Sequence, residues 1–172
     1  MNIDLIPSGS NPPHSVNVLI EVPIGGEPVK YEFDKKSGAI FVDRILHTPM
    51  RYPCNYGFIP QTLCDDGDPL DCLVMTRWTL MPGTVTAARP VGVLYLEDEA
   101  GGDEKILAVP VTSISPYYKD VEEYTTCRRS WSSRSSISSP TIRTWSPRNG
   151  CGSANGAMPR PRARWCSIRS LG

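Results

Sequence analysis

Short stretches of β-type sequence, separated by turn residues, run through the first 125 residues of this chain. Val16–Val22 is rich in β-branched residues, and 29–33 alternates so that Lys30 and Glu32 share one face. Further predicted strands are 40–46, 72–75, 85–96 and 106–109. Turn signals such as 81–83 and 100–103 separate them, and no long helical pattern intervenes. The pattern predicts a mainly β (α+β) fold, a small closed or nearly closed barrel with any helix near the end.

Length and composition fit a single domain with a sizeable core, since the chain has 172 residues. No stretch is apolar enough to span a membrane, and residues 1–5 lack the basic and apolar regions of a secretory signal. We therefore expect a cytoplasmic protein without a membrane partner. Six cysteines match neither a small secreted scaffold nor a zinc site. Cys54, Cys64 and Cys72 are expected to be free, partly buried thiols.

The formal net charge of zero hides two halves of different chemistry. All 18 Asp and Glu lie in residues 1–125 with nine Lys and Arg, whereas residues 126–172 hold nine Arg, eleven Ser and no acid. No apolar period of 3.6 or 2 runs through that tail. We divide the chain into a barrel domain, 1–125, and an Arg/Ser-rich tail, 126–172, expected to be disordered. Taken at face value, such a basic tail would bind nucleic acid or an anionic surface.

Four aspartates crowd into seven residues of one loop, at Asp65, Asp66, Asp68 and Asp71. Carboxylates this close repel one another unless a cation lies among them. Gly and Pro between them fix a turn, and an apolar run follows, so the loop suits a hard cation such as Mg²⁺. The spacing of an EF-hand is not present. A solvated acidic turn without metal is the alternative.

A second acidic group, from Glu97 to Glu104, lies between two predicted strands. Two acidic loops on one small barrel can face each other across its mouth and hold several cations. Lys30, Arg44 and Lys105 would then neutralise an anionic substrate. The alternatives are a solvated hairpin for the loop and surface salt bridges for the three cations.

The acidic loop also carries a resemblance to a known family. Residues 66–74, Asp-Gly-Asp-Pro-Leu-Asp-Cys-Leu-Val, resemble the D-G-D-P-x-D-V-L-V signature of the soluble family I inorganic pyrophosphatases, with Cys72 in place of the usual Val. Further matching segments, in order, are 21–23, 30–32, 43–44, 52–53, 55–60, 89–92, 98–101, 103–105 and 118–121. The likeness extends from about residue 3 to Thr125.

This resemblance implies a five-stranded OB-type barrel with helices packed outside, which hydrolyses pyrophosphate to two phosphates using Mg²⁺. It also implies a homo-oligomer, a hexamer as in most bacterial relatives. Carried over by position, Asp66, Asp71 and Asp103 bind metal, joined by Asp98 with substrate, and Asp68 helps to deprotonate the attacking water. Lys30, Arg44 and Tyr56 bind the phosphates, and Glu21, Glu32 and Lys105 line the site.

Two other functions stay open at this point. A non-catalytic OB-type module would bind oligonucleotides or phosphate through a basic groove with aromatic side chains, whereas residues 1–125 are acidic by nine charges. A metal-dependent hydrolase of other phosphates is the second alternative. No Walker loop or Gly-rich nucleotide fingerprint is present, which disfavours nucleotides.

The tail departs from the family, which continues with an amphipathic helix, a phosphate-binding Tyr-Lys pair and a Trp-rich end. When each residue is read instead from the last base of one codon and the first two bases of the next, 136–147 can encode His-Phe-Phe-Ser-His-Tyr-Lys-Asp-Leu-Glu-Pro. In the same frame 149–158 can encode Trp-Val-Arg-Ile-Gly-Glu-Trp-Gly-Asp. Both strings resemble the family's missing end.

We therefore expect a one-base slip at about Thr126, either in the gene or in its sequencing. The Arg and Ser content and the last three cysteines are then products of a shifted frame, and no nucleic-acid partner is expected. If the chain is made as written, exposed apolar surface, poor solubility and reduced turnover should follow.

Overall fold

The structure, a computed structural model, describes residues 1–47, 51–64, 67–98, 101–123 and 141–144. For 96–98, 101–103 and 141–144 it describes the backbone alone. The strands in these ranges are Val16–Val22 (β1), Val29–Asp34 (β2), Ala39–Ile45 (β3), Asn55–Phe58 (β4), Asp71–Val74 (β5), Val85–Asp98 (β6), Gly101–Pro110 (β7) and Thr141–Thr144 (β8). Short 3-10 helices occupy Ile3–Leu5 and Pro116–Tyr118. No helix within the described ranges is long and apolar enough to cross a membrane.

Five strands close into a ring in the order β1-β4-β5-β7-β6, because β6 also pairs with β1. β5 and β7 are parallel, and the other pairs of the ring are antiparallel. The first residues of β6 lie against β1 and the rest follow β7. A register shift between Pro90 and Gly92 marks a bulge, which lets this long strand bend around the ring. The predicted five-stranded closed barrel is confirmed.

Apolar side chains fill the barrel and also cover part of its outside. The interior cluster contains Val16, Val18, Ile20, Ile59, Cys72, Val74, Ala88, Val93, Ile106 and Ala108. Since side chains alternate along a strand, the next residues along β5 and β7, Leu73 and Leu107, point to the opposite face. They join a second buried cluster with Leu94, Tyr118 and Val121. Burial on both faces explains why these strands are continuous apolar runs in the sequence.

The strands β2 and β3 form a separate two-stranded sheet, which we call the hairpin arm (29–45). Within this arm Lys30 lies opposite Arg44 in the strand register. Phe33 joins the arm to the barrel, because its ring packs against Phe58 with ring centroids 6.3 Å apart. The sequence predicted both strands and did not predict that they lie outside the ring.

Strand β4 was not predicted, because Asn55 and Gly57 disfavour strands. Gly57 nevertheless suits this place in the barrel. A Cβ added there would lie 1.9 Å from the backbone oxygen of Leu19, so β1 and β4 can approach this closely only with glycine. The fourth strand of the ring therefore depends on close backbone packing.

Thr141–Thr144 is the part of the tail that the structure describes, and it pairs antiparallel with β6. Residues 126–140 and 145–172 lie outside the described residues, so the disorder and the shifted frame expected there stay predictions. Within the described ranges Cys54, Cys64 and Cys72 form no disulfide bond; Cys54 and Cys72 are buried and Cys64 is half-buried.

Candidate active site

Asp71 is the centre of a polar cluster at the start of β5. Its Oδ2 accepts a hydrogen bond from the Tyr56 hydroxyl and a second from Lys105 Nζ, each at 2.7 Å. Three adjacent strands bring these groups together, since β4 and β7 flank β5 on either side. The Asp71 side chain keeps 27% of its surface exposed, so a ligand can still reach it.

Lys105 is the cation nearest to this carboxylate, and its own side chain is 16% exposed. Its ammonium also lies 5.4 Å from the centroid of the Tyr56 ring. A charged group with so little exposure needs a partner, and Asp71 supplies it. The cluster thus joins three residues that the sequence assigned to the site.

Tyr52 is a site residue that the sequence analysis missed. Its ring centroid is 5.6 Å from that of Tyr56. Burial raises the pKa of Tyr52, and the charges of Lys30, Lys105, Asp71 and Glu21 all act on its hydroxyl. Burial, with the charge and hydrogen bond of Asp71, raises the pKa of Tyr56 as well. Both hydroxyls therefore stay protonated as donors. The matching segment 52–53 was the available signal.

Glu21 is buried on β1, with 8% of its surface exposed. Its Oε1 accepts the backbone N–H of Phe33 at 2.7 Å, which ties the hairpin arm to the barrel. Burial raises its pKa to about 7; the Phe33 hydrogen bond and Lys30 oppose this rise, and Asp71 and Glu32 add to it. Glu21 thus titrates near neutrality, among groups that the sequence also assigned to the site.

The arm supplies two more of the predicted residues, and both bind one carboxylate that the sequence did not single out. Asp43 Oδ2 lies 3.2 Å from Lys30 Nζ and 2.8 Å from Arg44 Nε. These contacts lower the pKa of Asp43, with the Arg44 hydrogen bond as the largest cause. Arg44 is 64% exposed. The salt bridges considered as the alternative for Lys30, Arg44 and Lys105 are therefore present, and Lys105 forms its bridge inside the cluster.

Asp68 lies on the acidic loop, with its side chain 78% exposed and Oδ1 3.6 Å from Lys35 Nζ. Asp66 falls outside the described residues, and for Asp98 and Asp103 the structure describes the backbone alone. Asp98 lies opposite Gly101, and Asp103 precedes Lys105 by two residues on β7. The metal-ligand roles of these three aspartates, like the proton-accepting role of Asp68, stay predictions.

The described part of the chain contains no group of three His, Cys, Asp or Glu side chains placed to hold a metal. The donor chemistry around Asp71 nevertheless fits a hard cation, because its carboxylate is accessible and already attracts an ammonium group. A second acidic residue, Asp103, lies two positions before Lys105 on β7. Carboxylate oxygens are the ligands that such ions prefer.

Comparison with known proteins decides the family. The sequence model described as inorganic pyrophosphatase matches residues 18–137. The chain belongs to the inorganic pyrophosphatase family. A curated inorganic pyrophosphatase from Bradyrhizobium diazoefficiens is 60% identical over 124 residues, which are 72% of this chain and 70% of that protein.

Solved structures of the family have the same fold. A structure from Anaplasma phagocytophilum, named an inorganic phosphatase, has a TM-score of 0.71 and 55% identity over 74% of this chain and 75% of its own. The inorganic pyrophosphatase from Thermus thermophilus has a TM-score of 0.67 and 33% identity, covering 85% of this chain and 88% of its own. The predicted OB-type barrel is confirmed, and the family is a metal-dependent one.

Proposed function

We propose that this chain hydrolyses pyrophosphate to two phosphates by attack of a water molecule, with Mg²⁺ as its metal. The observation that carries this proposal is the contact of Tyr56 and Lys105 with one accessible carboxylate, Asp71, in a member of the inorganic pyrophosphatase family. The metal would be held by Asp66, Asp71 and Asp103, with Asp98 added when substrate binds. Mg²⁺ bound there would lower the pKa of water and neutralise phosphate oxygens.

The substrate is a small, highly charged anion, and the cationic side chains around Asp71 match it. Lys30 and Arg44 project from the hairpin arm, and each now binds Asp43, a contact that substrate oxygens can replace. The hydroxyl of Tyr56 is protonated and can donate to a phosphate oxygen. Basic groups and donors of this kind stabilise the charge that develops during phosphoryl transfer. Lys105, Glu21 and Glu32 complete the surroundings.

Asp68 is the group proposed to take the proton from the attacking water. Its carboxylate is exposed, so water and substrate can approach it. A base of this kind has to lie within hydrogen-bond reach of the water that it deprotonates. Asp68 is on the acidic loop, and Lys35 of the hairpin arm lies 3.6 Å from its carboxylate.

We further propose that the chain works in the cytoplasm as a homo-hexamer, as the family resemblance implies. Analytical ultracentrifugation of the purified chain tests the assembly. A sedimentation coefficient of a monomer at all concentrations would contradict it.

Phosphate release tests the reaction itself. The purified chain is incubated with pyrophosphate or ATP, in Mg²⁺ or in EDTA. We expect phosphate from pyrophosphate in Mg²⁺, a much lower rate from ATP, and no release in EDTA. Faster release from ATP would favour the hydrolase of other phosphates. Binding of pyrophosphate with no release from either substrate would favour the non-catalytic module.

A further inference from the structure

The hairpin arm carries Lys30, Glu32 and Arg44 but pairs with no barrel strand among those described. The end of the arm that carries the turn is tied to the barrel, because the Glu21 carboxylate accepts the Phe33 N–H at 2.7 Å. Phe33 lies one residue before Asp34, where the turn begins, so this contact fixes the backbone that leads into the tip of the arm. The tip of the arm therefore has a defined position relative to the barrel.

A well-defined turn forms that tip. The Asp34 carboxylate accepts the backbone N–H groups of Lys36 and Ser37 at 3.2 and 3.0 Å, and the Gly38 N–H donates to the Asp34 backbone oxygen at 2.8 Å. Gly38 has a φ of 71°, which favours glycine. These bonds fix the backbone on both sides of Lys35.

Lys35 reaches from this tip to the acidic loop, where its Nζ lies 3.6 Å from Asp68 Oδ1. The two side chains are 51% and 78% exposed. An ion pair so open to water contributes little to the stability of a fold. Its effect is therefore expected in the position of the Asp68 carboxylate.

We propose that Lys35 is a positioning residue, which holds the Asp68 carboxylate against the tip of the hairpin arm. Asp68, as the proposed proton acceptor, and the phosphate-binding cations Lys30 and Arg44 are then kept at a set separation, although they lie on different parts of the chain. The ammonium also offsets part of the negative charge of a stretch that carries four aspartates in seven residues. This inference rests on the proposed role of Asp68 as the group that takes the proton from water.

The first test compares two neighbouring lysines in the full chain. Lys35→Gln should lower kcat by about three- to tenfold with KM nearly unchanged, because misplacement of a catalytic group slows the chemical step. Its melting temperature should match that of the parent, and Lys35→Arg should restore most of the loss. Lys36→Gln removes the same charge from the next residue and should leave kcat unchanged. Equal losses in both Gln variants would overturn the proposal, since net charge would then explain them.

A double-mutant cycle separates this inference from the role of Asp68. Asp68→Asn alone should greatly reduce kcat, and Lys35→Gln should add nothing in that background. If Asp68→Asn leaves kcat intact, Asp68 is not the base and both proposals fail. If it reduces kcat while Lys35→Gln has no effect in the parent, only the positioning role fails.

A measurement independent of turnover uses NMR of lysine-labelled protein. The side-chain resonance of Lys35, assigned by its loss in Lys35→Arg, should shift when Asp68 is replaced by Asn. The resonance of Lys36 should stay in place. An unmoved Lys35 resonance would show that the pair does not form in solution, and the inference would be wrong.

Discussion

The Tyr56 hydroxyl donates a hydrogen bond to Oδ2 of Asp71 at 2.7 Å, and Lys105 Nζ donates a second one to the same oxygen. One carboxylate thus fixes a phenol and an ammonium group from two neighbouring strands. A ligand bound to this oxygen would share it with both groups. The cluster therefore links binding at Asp71 to the position of two donors.

Replacing Tyr56 with Phe removes the donor and leaves the ring in place. We expect kcat/KM for pyrophosphate to fall by about tenfold or more, since a hydrogen bond to a charged group contributes about 1.5–3 kcal/mol. Steady-state phosphate release measures this loss. Tyr117→Phe is the matched control, because Tyr117 is an exposed ring beside Arg77. Full activity in Tyr56→Phe would show that the Tyr56 hydroxyl does not bind the substrate.

Glu21 gives the stability of the metal-free chain a dependence on pH. Burial raises its pKa from 4.5 to about 7, so between these values the folded chain holds a proton that the unfolded chain releases. The free energy of unfolding therefore falls as pH rises through this window, and the loss is complete above pH 7.

Glu21→Gln cannot ionise, and its amide oxygen can still accept the Phe33 N–H. In EDTA the variant should match the parent near pH 4.5 and exceed its stability by about 3 kcal/mol at pH 8, the free energy that corresponds to this pKa shift. Urea unfolding at several pH values measures the difference. Parallel curves for variant and parent would mean that Glu21 ionises normally.

Asn55 is fully buried and joins three backbone segments. Its Oδ1 accepts the N–H groups of Ile24 and Leu80 at 3.0 and 2.9 Å, and its Nδ2 donates to the Trp78 oxygen at 2.9 Å. Asn55→Leu leaves these groups without that partner and should cost about 3–5 kcal/mol of unfolding free energy.

Urea unfolding again measures this loss. Asn17→Ala removes a single exposed hydrogen bond, to the Pro7 oxygen, and should cost about 1 kcal/mol or less. Similar losses for the two variants would show that the Asn55 bonds are easily replaced by water.

The shifted reading frame predicts the outcome of DNA sequencing across the Thr125 codon. We expect one base more or fewer than the printed sequence requires. A chain restored to the other frame should then be more soluble and should turn over faster than the chain as printed, since it regains a phosphate-binding Tyr-Lys pair. A confirmed frame, shared by homologous genes, would end this hypothesis.

Local pattern located most strands of the barrel. β1 matches its predicted bounds, β2 ends one residue later than predicted, and β3 begins and ends one residue earlier than predicted. β4 was missed, because the glycine that lets two strands approach closely is unfavourable by strand propensity. Strand propensity describes a local preference, whereas glycine is needed at position 57 because the backbone of Leu19, distant in the sequence, comes so close.

The site shows the same division. Motif positions named Asp71, Tyr56 and Lys105, but nothing in their spacing says that one oxygen binds both partners. Tyr52, Asp43 and Lys35 were not assigned any role, because their importance comes from what lies beside them.

The sequence by itself determined the family and most strands of a small closed barrel, and it predicted the residues assigned to its chemistry, since these follow from residue types at fixed spacing. Only the tertiary structure decided that β2 and β3 form a separate arm, that this arm meets the acidic loop at Lys35 and Asp68, and that Glu21 is buried enough to titrate near neutrality. The physical reason is that strand pairing, burial and charge proximity depend on residues distant in the chain, and periodicity along the sequence does not record those distances.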